Sequence, residues 1–311
     1  MFKSKETIQK DLEIKILEKE LLSKKIKTYM FWAVFITELI IITFVLFKRL
    51  HIGDNIIVGK NNVAVIKIDK PITVSYMNGL MNKIDQIKKS KKVNEFLVIM
   101  NSPGGSPAAS EEFSEYLKDL NAHKKVTMYV EAMAASGGYY IASSIKPLIA
   151  NKNAIVGSIG VIMPHYNISE LAKKVGVEEN NLYQGEYKEP ISFFHKVSPK
   201  NEKYLREHLL SPMYKNFLNA VSKNRKVSVE KLKNFAEGKI YLANNPKIKG
   251  ILVDKISTLY KVKQTIKSRI GADTNFFFVN TENKKGFLGS LLSKANINVN
   301  LKLPKGQLDL Q

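Results

Sequence analysis

Three glycine-bearing clusters hold the residues of this chain whose types and order could do covalent chemistry: Asn101-Ser102-Pro103-Gly104-Gly105, Ser136-Gly137-Gly138 and Gly185-Glu186-Tyr187-Lys188. A serine hydroxyl is a poor nucleophile until a neighbouring base takes its proton. Lys188, fifty-two residues after Ser136, supplies an amine that could be that base. Glycines let backbone N–H groups approach a reacting carbonyl oxygen, which is what an oxyanion pocket requires. Together the clusters outline a serine nucleophile with a lysine base.

A lysine acts as a base only when neutral, and a free one, with a pKa of about 10.4, is almost fully charged at neutral pH. Lys188 is therefore expected in an apolar, water-poor pocket, walled by Tyr187, Ile191 or a subunit interface. Each residue also has a plainer reading. Ser136 could cap a helix; Ser158, set among Gly157 and Gly160, could be a small residue chosen for close packing; Asn-Ser-Pro-Gly-Gly is by itself a turn. His123, His165 and His195 offer a rival base, which would need an acidic residue to orient it. The chain has no cysteine, which excludes a thiolate nucleophile, a disulfide and a cysteine zinc site. Paired metal ligands at useful spacing are absent from the sequence, so neither a metal nor a cofactor is expected.

These clusters need elements to position them. Val63-Ala64-Val65-Ile66-Lys67-Ile68 reads as a strand and Tyr76 to Lys89 as a helix. Phe96-Leu97-Val98-Ile99-Met100 is a second strand, running into the first glycine cluster, and Ala108 to Leu120 a second helix that Ser106 could cap. Val126 to Val130 is a third strand, which leads through Ala132-Met133-Ala134-Ala135 to Ser136 and an apolar helix ending near Ser144. Repetition in this order implies parallel βαβ units, whose reactive loops gather at the carboxyl ends of the strands. Farther on, Leu148-Ile149-Ala150 and Ile155 precede Gly157-Ser158-Ile159-Gly160-Val161-Ile162, a small-residue turn feeding another apolar run. Residues 200–236 read as polar helix, and Ile251-Leu252-Val253-Asp254 and Phe276-Phe277-Phe278-Val279 as late strands.

The 311 residues carry a formal net charge of +21. The lysines are dispersed among acidic residues, and no aromatic-interleaved basic stripe appears, so a surface near anionic lipid is expected rather than nucleic-acid binding. From Tyr29 to Phe47 the chain is almost wholly apolar. As a helix these residues would span about 28 Å, close to the ~30 Å hydrocarbon core of a bilayer. A charged segment precedes them and no small-residue cleavage site follows, which argues for a transmembrane helix over a cleaved signal. Lysines from Lys10 to Lys27 outnumber Lys48, Arg49 and Lys60 beyond the span, so the amino terminus is expected in the cytoplasm. Glu38 sits near mid-span, protonated or at a helix–helix contact.

The expected organisation is a charged amphipathic segment (1–28), a transmembrane helix (29–49), a polar linker (50–62), a catalytic α/β domain (63–280) and a loose tail (281–311). Within that tail, Leu301 to Gln311 reads as a mobile end.

From about Val63 to Asp254 the chain resembles the signal peptide peptidase A family, membrane-anchored serine–lysine proteases related in fold to the Clp protease and crotonase families. The resemblance rests on Asn101 to Ser106, on Ala135-Ser136-Gly137-Gly138-Tyr139-Tyr140-Ile141-Ala142, on Gly157 to Ile162, on Gly185 to Lys188, and on Glu237-Gly238-Lys239-Ile240-Tyr241 before Gly250-Ile251-Leu252-Val253-Asp254. By position it implies Ser136 as nucleophile, Lys188 as general base, Ser158 as the hydroxyl that orients the lysine, and Gly104 and Gly137 as oxyanion-hole donors. The family usually has aspartate after the lysine, where this chain has Glu189-Pro190-Ile191-Ser192.

With one copy of each motif, the chain resembles the short members that assemble as rings, neighbouring subunits completing each site. The resemblance implies a bacterial plasma-membrane endopeptidase, its catalytic domain outside the cytoplasm, that cuts remnant signal peptides and other hydrophobic peptides. The alternative is a non-catalytic membrane scaffold whose crotonase-like domain binds peptides or anionic lipid.

Overall fold

The computed structural model of the chain describes residues 5–51 and 60–279, with side chains over 15–44 and 60–279. It comprises two units, Met1–Val58 and Gly59–Gln311. In the first, helix α1 runs unbroken over Lys5–His51, joining the amphipathic segment and the apolar span into one rod. Its stretch Lys15–Phe44 is long and apolar enough to cross a membrane. Large apolar side chains such as Phe31, Trp32, Phe35 and Ile40 are exposed all round it, a surface that suits lipid and not water. Most of the expected linker and the whole of the expected tail lie outside the described residues.

The second unit follows the anticipated repeat. Strands β1 (Asn62–Ile68), β2 (Val93–Ser102) and β3 (Val126–Ala135) alternate with helices α2 (Val74–Lys88) and α3 (Pro107–His123). Thr73 and Ser106 start the two helices by accepting the Tyr76 and Ala109 N–H groups, which satisfies donors that a helix start otherwise leaves bare. Helix α4 (Gly137–Ser143) follows β3 after a single residue, Ser136. Strands β4 (Leu148–Ala150) and β5 (Ile155–Gly157) come next, then a long irregular stretch holding the short α5 (Ser169–Lys174). Helix α6 (Pro199–Leu205), a π-helical turn (Arg206–Leu210), α7 (Ser211–Arg225) and α8 (Val229–Lys233) follow. Strands β6 (Ile240–Leu242) and β7 (Lys255–Ile256), helix α9 (Leu259–Ile270) and strand β8 (Asn275–Phe278) complete the unit.

The sheet order is β6-β5-β3-β2-β1-β8, with β4 also on β3 and β7 on β4; β6 alone runs antiparallel to its neighbour. Long β3 serves two partners: its first half pairs with β4 through Met128 to Val130, its second with β5 through Met133 to Ala135. That division carries its end, Ala135, past the middle of the sheet. Val63, Val65, Leu97, Ile99 and Tyr129 face one side with Val262 and Ile266 of α9. The alternate residues, Ala64, Ile66, Phe96, Val98, Met128 and Val130, are equally buried on the other face, as pleating requires. Both faces being covered explains why these strands read as continuous apolar runs.

One expectation fails locally. The strand expected at Ile251-Leu252-Val253-Asp254 is a turn closed by the Gly250 N–H on the Val253 carbonyl (2.7 Å), and strand pairing begins one residue later, at Lys255. The reason is that the Asp254 carboxylate takes the Leu148 N–H (2.7 Å), so a side chain occupies the place of a strand bond. The apolar run after Ser158 forms no strand, and Ile162 is exposed.

Candidate active site

Ser136 stands at the carboxyl end of β3 with φ 51° and ψ −124°, a conformation that costs a non-glycine residue of order 1–3 kcal/mol and is held only where the surroundings impose it. Here they do. The Ser136 N–H is bound to the Gly157 carbonyl at the end of β5 (2.9 Å), and its carbonyl accepts the N–H groups of Tyr139 and Tyr140 (2.9 Å each). Its side chain makes no capping bond to α4, which removes the plain reading of Ser136 as a helix cap and leaves the hydroxyl free toward the cleft.

Glycines bring the backbone this close. A Cβ on Gly104, whose φ is +105°, would lie 2.8 Å from the Ser136 Cβ and from the Gly137 nitrogen. One on Gly138 would lie 2.7 Å from the Ser102 carbonyl oxygen. The amides of the Asn-Ser-Pro-Gly-Gly turn are not equivalent. Gly104 is buried and its N–H donates to Ser102 Oγ (3.3 Å), whereas Gly105 is exposed and, among the described residues, its N–H has no partner. A Cβ on Gly137 would come 3.3 Å from the Gly105 nitrogen, so the exposed Gly105 and the buried Gly137 are neighbours beside Ser136. Sequence reasoning chose Gly104 as a donor; the structure puts the Gly104 N–H on Ser102 Oγ and brings Gly105 beside it as a second amide near Ser136.

Ser136, Gly105, Gly137 and Ser158 line one cleft of about 830 Å³. Ser158 mirrors Ser136 with φ 53° and an N–H on the Lys239 carbonyl (2.7 Å). The far wall comes from α7 and the π turn before it, where Arg206, Leu210, Met213, Tyr214 and Phe217 face the cleft. Tyr140 packs against Phe217 with ring centroids 5.2 Å apart. Burial, and after it the carboxylates of Glu111 and Glu115, push the Tyr140 hydroxyl up to about 12. Burial and then the hydrogen bond to Glu237 push Tyr214 equally to about 12. Both shifts favour the protonated phenol.

The floor beneath Ser136 is tied to the end of the domain. Tyr139, wholly buried, donates to the Leu252 carbonyl (3.0 Å). Arg225, also buried, donates to the Ile251 carbonyl (3.0 Å) and pairs with Asp254 at 2.8 Å. Burial raises the Asp254 carboxyl, but the Arg225 bond, the Leu148 N–H and the charges of Arg225 and Lys146 outweigh it and hold the group below the usual carboxylate range.

Lys188 is elsewhere. It ends a turn closed by its own N–H on the Gly185 carbonyl (3.1 Å), within the irregular stretch after β5, and it is exposed and does not line the Ser136 cleft of its own chain. The apolar wall expected from Tyr187 does not form, because that ring stacks on Tyr204 of α6. Ile162, Leu171, Leu182 and Phe193 of the same stretch are exposed as well. Of the rival bases, none of the three histidines lines the cleft: His123 accompanies the Asp119 carbonyl (2.9 Å), His165 faces Phe193, and His195 lies 3.7 Å from Glu179. No group of residues that could hold a metal ion occurs among the described residues.

Comparison with known proteins places these features. A family profile described as peptidase family S49 matches residues 118–273. A protein of Synechocystis provisionally named a protease is 32% identical over 214 residues, covering 69% of this chain and 76% of that one. An Enterococcus faecium protein provisionally named signal peptide peptidase SppA is 34% identical over 180 residues, 57% of this chain and 51% of its own. Protease 4 of Haemophilus influenzae is 31% identical over 208 residues, 65% of this chain and 33% of the longer relative.

Proposed function

The chain belongs to peptidase family S49, that of signal peptide peptidase A, and from this premise we propose that it is a membrane-tethered serine endopeptidase with Ser136 as nucleophile and Lys188 as general base. The observation that carries the reading is Ser136 itself, held at positive φ with an uncapped hydroxyl beside the amides of Gly105 and Gly137. A strained conformation in a cleft, with the side chain left without a structural bond, supports a chemical role for it.

In the reaction, the neutral amine of Lys188 takes the Ser136 proton as Oγ attacks a peptide carbonyl. The amides of Gly105 and Gly137 hold the oxyanion, with Gly104 fixing the turn beneath them, each donor contributing about 3 kcal/mol in a comparable protease. Lys188 then protonates the leaving amine, and water releases the acyl group. Ser158 is the hydroxyl that orients the amine.

Lys188 lies off the cleft of its own chain, so a neighbouring copy supplies the base in a ring of subunits. The exposed apolar side chains around Lys188 support this, being poorly suited to water. The apolar stretch of α1 anchors the enzyme with its amino terminus in the cytoplasm, and the apolar wall of the cleft suits hydrophobic segments such as remnant signal peptides.

Hydrolysis of a signal-like peptide by the detergent-solubilised chain from pH 6 to 10 tests the reading. Activity that rises with pH and is lost in Ser136→Ala and Lys188→Ala is the expected result. Full activity in Ser136→Ala refutes the nucleophile, and full activity in Lys188→Ala refutes the base.

A further inference from the structure

Among the described residues, the hydrogen bonds, ion pairs and ring contacts of 162–197 stay within that segment, except those made by Glu186 and Tyr187. Both exceptions reach α6. The Tyr187 ring stacks on Tyr204 with centroids 4.3 Å apart and planes at 21°. Lys200 pairs with Glu186 and places its ammonium 5.7 Å over the Tyr187 ring. Tyr204 is backed in turn by His208, 5.0 Å away in the π turn. The neighbours of Glu186 and Tyr187 on that turn are Gly185, with φ +106° and nothing within 4 Å of a Cβ, and Lys188. A glycine hinge in open space fixes nothing, so on its amino-terminal side the aim of Lys188 is set by what holds the two residues before it, while Asn181 holds Glu189 (2.8 Å) on the other.

We propose that Tyr204 and Lys200 are positioning residues for the reaction: they clamp Tyr187 and Glu186 and thereby fix the approach of the Lys188 amine to the serine it serves. This rests on the reading of Lys188 as the base. The same helical run that holds the clamp continues through the π turn, where Arg206 and Leu210 line the Ser136 cleft. π turns interrupt helical register and recur at functional sites. Here one such turn joins the support of a chain's lysine to the wall of its serine cleft. The clamp therefore acts on geometry at one site and on the cleft wall at another, whichever copy contributes the amine.

The test compares Tyr204→Ala, Tyr204→Phe, Glu186→Lys, Lys200→Glu and the Glu186→Lys/Lys200→Glu double variant with the parent, beside Lys188→Ala, on one hydrophobic peptide from pH 6 to 10. Loss of an aromatic pair should cost about tenfold in kcat with little change in KM. A loosened amine is also better hydrated, so the midpoint of the pH–kcat curve should move up. A merely structural role would lower activity equally at all pH and leave the midpoint in place. Tyr204→Phe, which keeps the ring, should stay within about twofold of the parent.

The charge variants sit on exposed side chains and threaten folding less than the ring does. Each single reversal should lower kcat, and the double variant should restore it. Parent-like midpoints and kcat in both Tyr204→Ala and the single reversals, with Lys188→Ala inactive, would overturn the clamp while leaving the base intact. An active Lys188→Ala would overturn the reading beneath it.

Discussion

Ser136 and Ser158 occupy matching positions, each one residue beyond a paired strand end, Ala135 of β3 and Gly157 of β5, and each at positive φ, 51° and 53°. The Ser136 N–H closes on Gly157, the residue before Ser158, so two adjacent parallel strands present two serines side by side at their carboxyl ends. A hydroxyl there can do chemistry or only fit the turn, and substitution separates the two. Ser158→Ala and Ser158→Gly both remove the hydroxyl, but glycine adopts positive φ freely and should be the more stable by about 1 kcal/mol. If the hydroxyl orients the lysine, both variants should lose about 10- to 100-fold in kcat, as a hydrogen bond to an amine that gains its charge in the transition state implies. Parent-like kcat in Ser158→Gly, measured with its melting temperature, would assign Ser158 to packing.

Gly104 supports Ser136 from below, and its own φ of +105° already excludes most side chains. The Cβ of Gly104→Ala would press on the Ala135 carbonyl, the Gly137 nitrogen and the Ser136 Cβ at 2.8 Å each. All three belong to rigid backbone or its first side-chain atom, so the serine must move. The variant should lose about 2 kcal/mol of stability or more and nearly all activity. Gly176→Ala, with φ +71° but nothing within 4 Å of its Cβ, should lose stability alone and keep its kcat. Equal kcat in the two variants would deny Gly104 its place under Ser136.

Much of this was legible in the sequence because it is local. Strands β1 to β3 are buried on both faces and read as unbroken apolar runs, and Ser106 announces α3 by capping it. The turn that carries Ser136 needs glycines on all sides, and the sequence has them. What escaped is what depends on distant partners. Arg225 looks like the end of a polar helix, yet it is buried because Asp254 reaches it from a turn that the apolar pattern of Ile251 to Val253 disguised as a strand. Lys188 is exposed within its own chain, and no periodicity along one chain can say what would cover it.

Orientation in the membrane is open to a clean experiment because the chain has no cysteine. Single replacements Ser23→Cys, on exposed α1 surface, and Asn153→Cys, on an exposed loop of the second unit, carry the only thiol of each variant. With the lysine excess on the amino-terminal side of the span, a membrane-impermeant maleimide should label Asn153→Cys in intact cells and reach Ser23→Cys only after lysis. The reverse pattern would put the catalytic unit in the cytoplasm. Labelling of both in intact cells would mean that α1 does not span.

The ion pair of Arg225 with Asp254 makes an acid-sensitive brace behind Ser136. Arg225 is buried and also donates to the Ile251 carbonyl, one residue before the carbonyl that holds Tyr139 of α4. Removing the carboxylate by Asp254→Ala strands that guanidinium and the Leu148 N–H together, and breaking a buried pair from one side costs about 3–5 kcal/mol. The Asp254 carboxyl is held below its usual value in the folded chain. Its stabilising contribution is therefore whole above the unfolded pKa of about 3.9 and declines as pH falls through the folded value. Denaturant unfolding of the detergent-solubilised parent and of Asp254→Ala should differ most above about pH 5 and converge on acidification below pH 4. Asp254→Asn, which keeps an acceptor for both donors but no charge, should fall between them. A gap that stays constant from pH 6 to below the folded pKa would show that the carboxylate's charge contributes nothing, and that Asp254 acts through shape and hydrogen bonds alone.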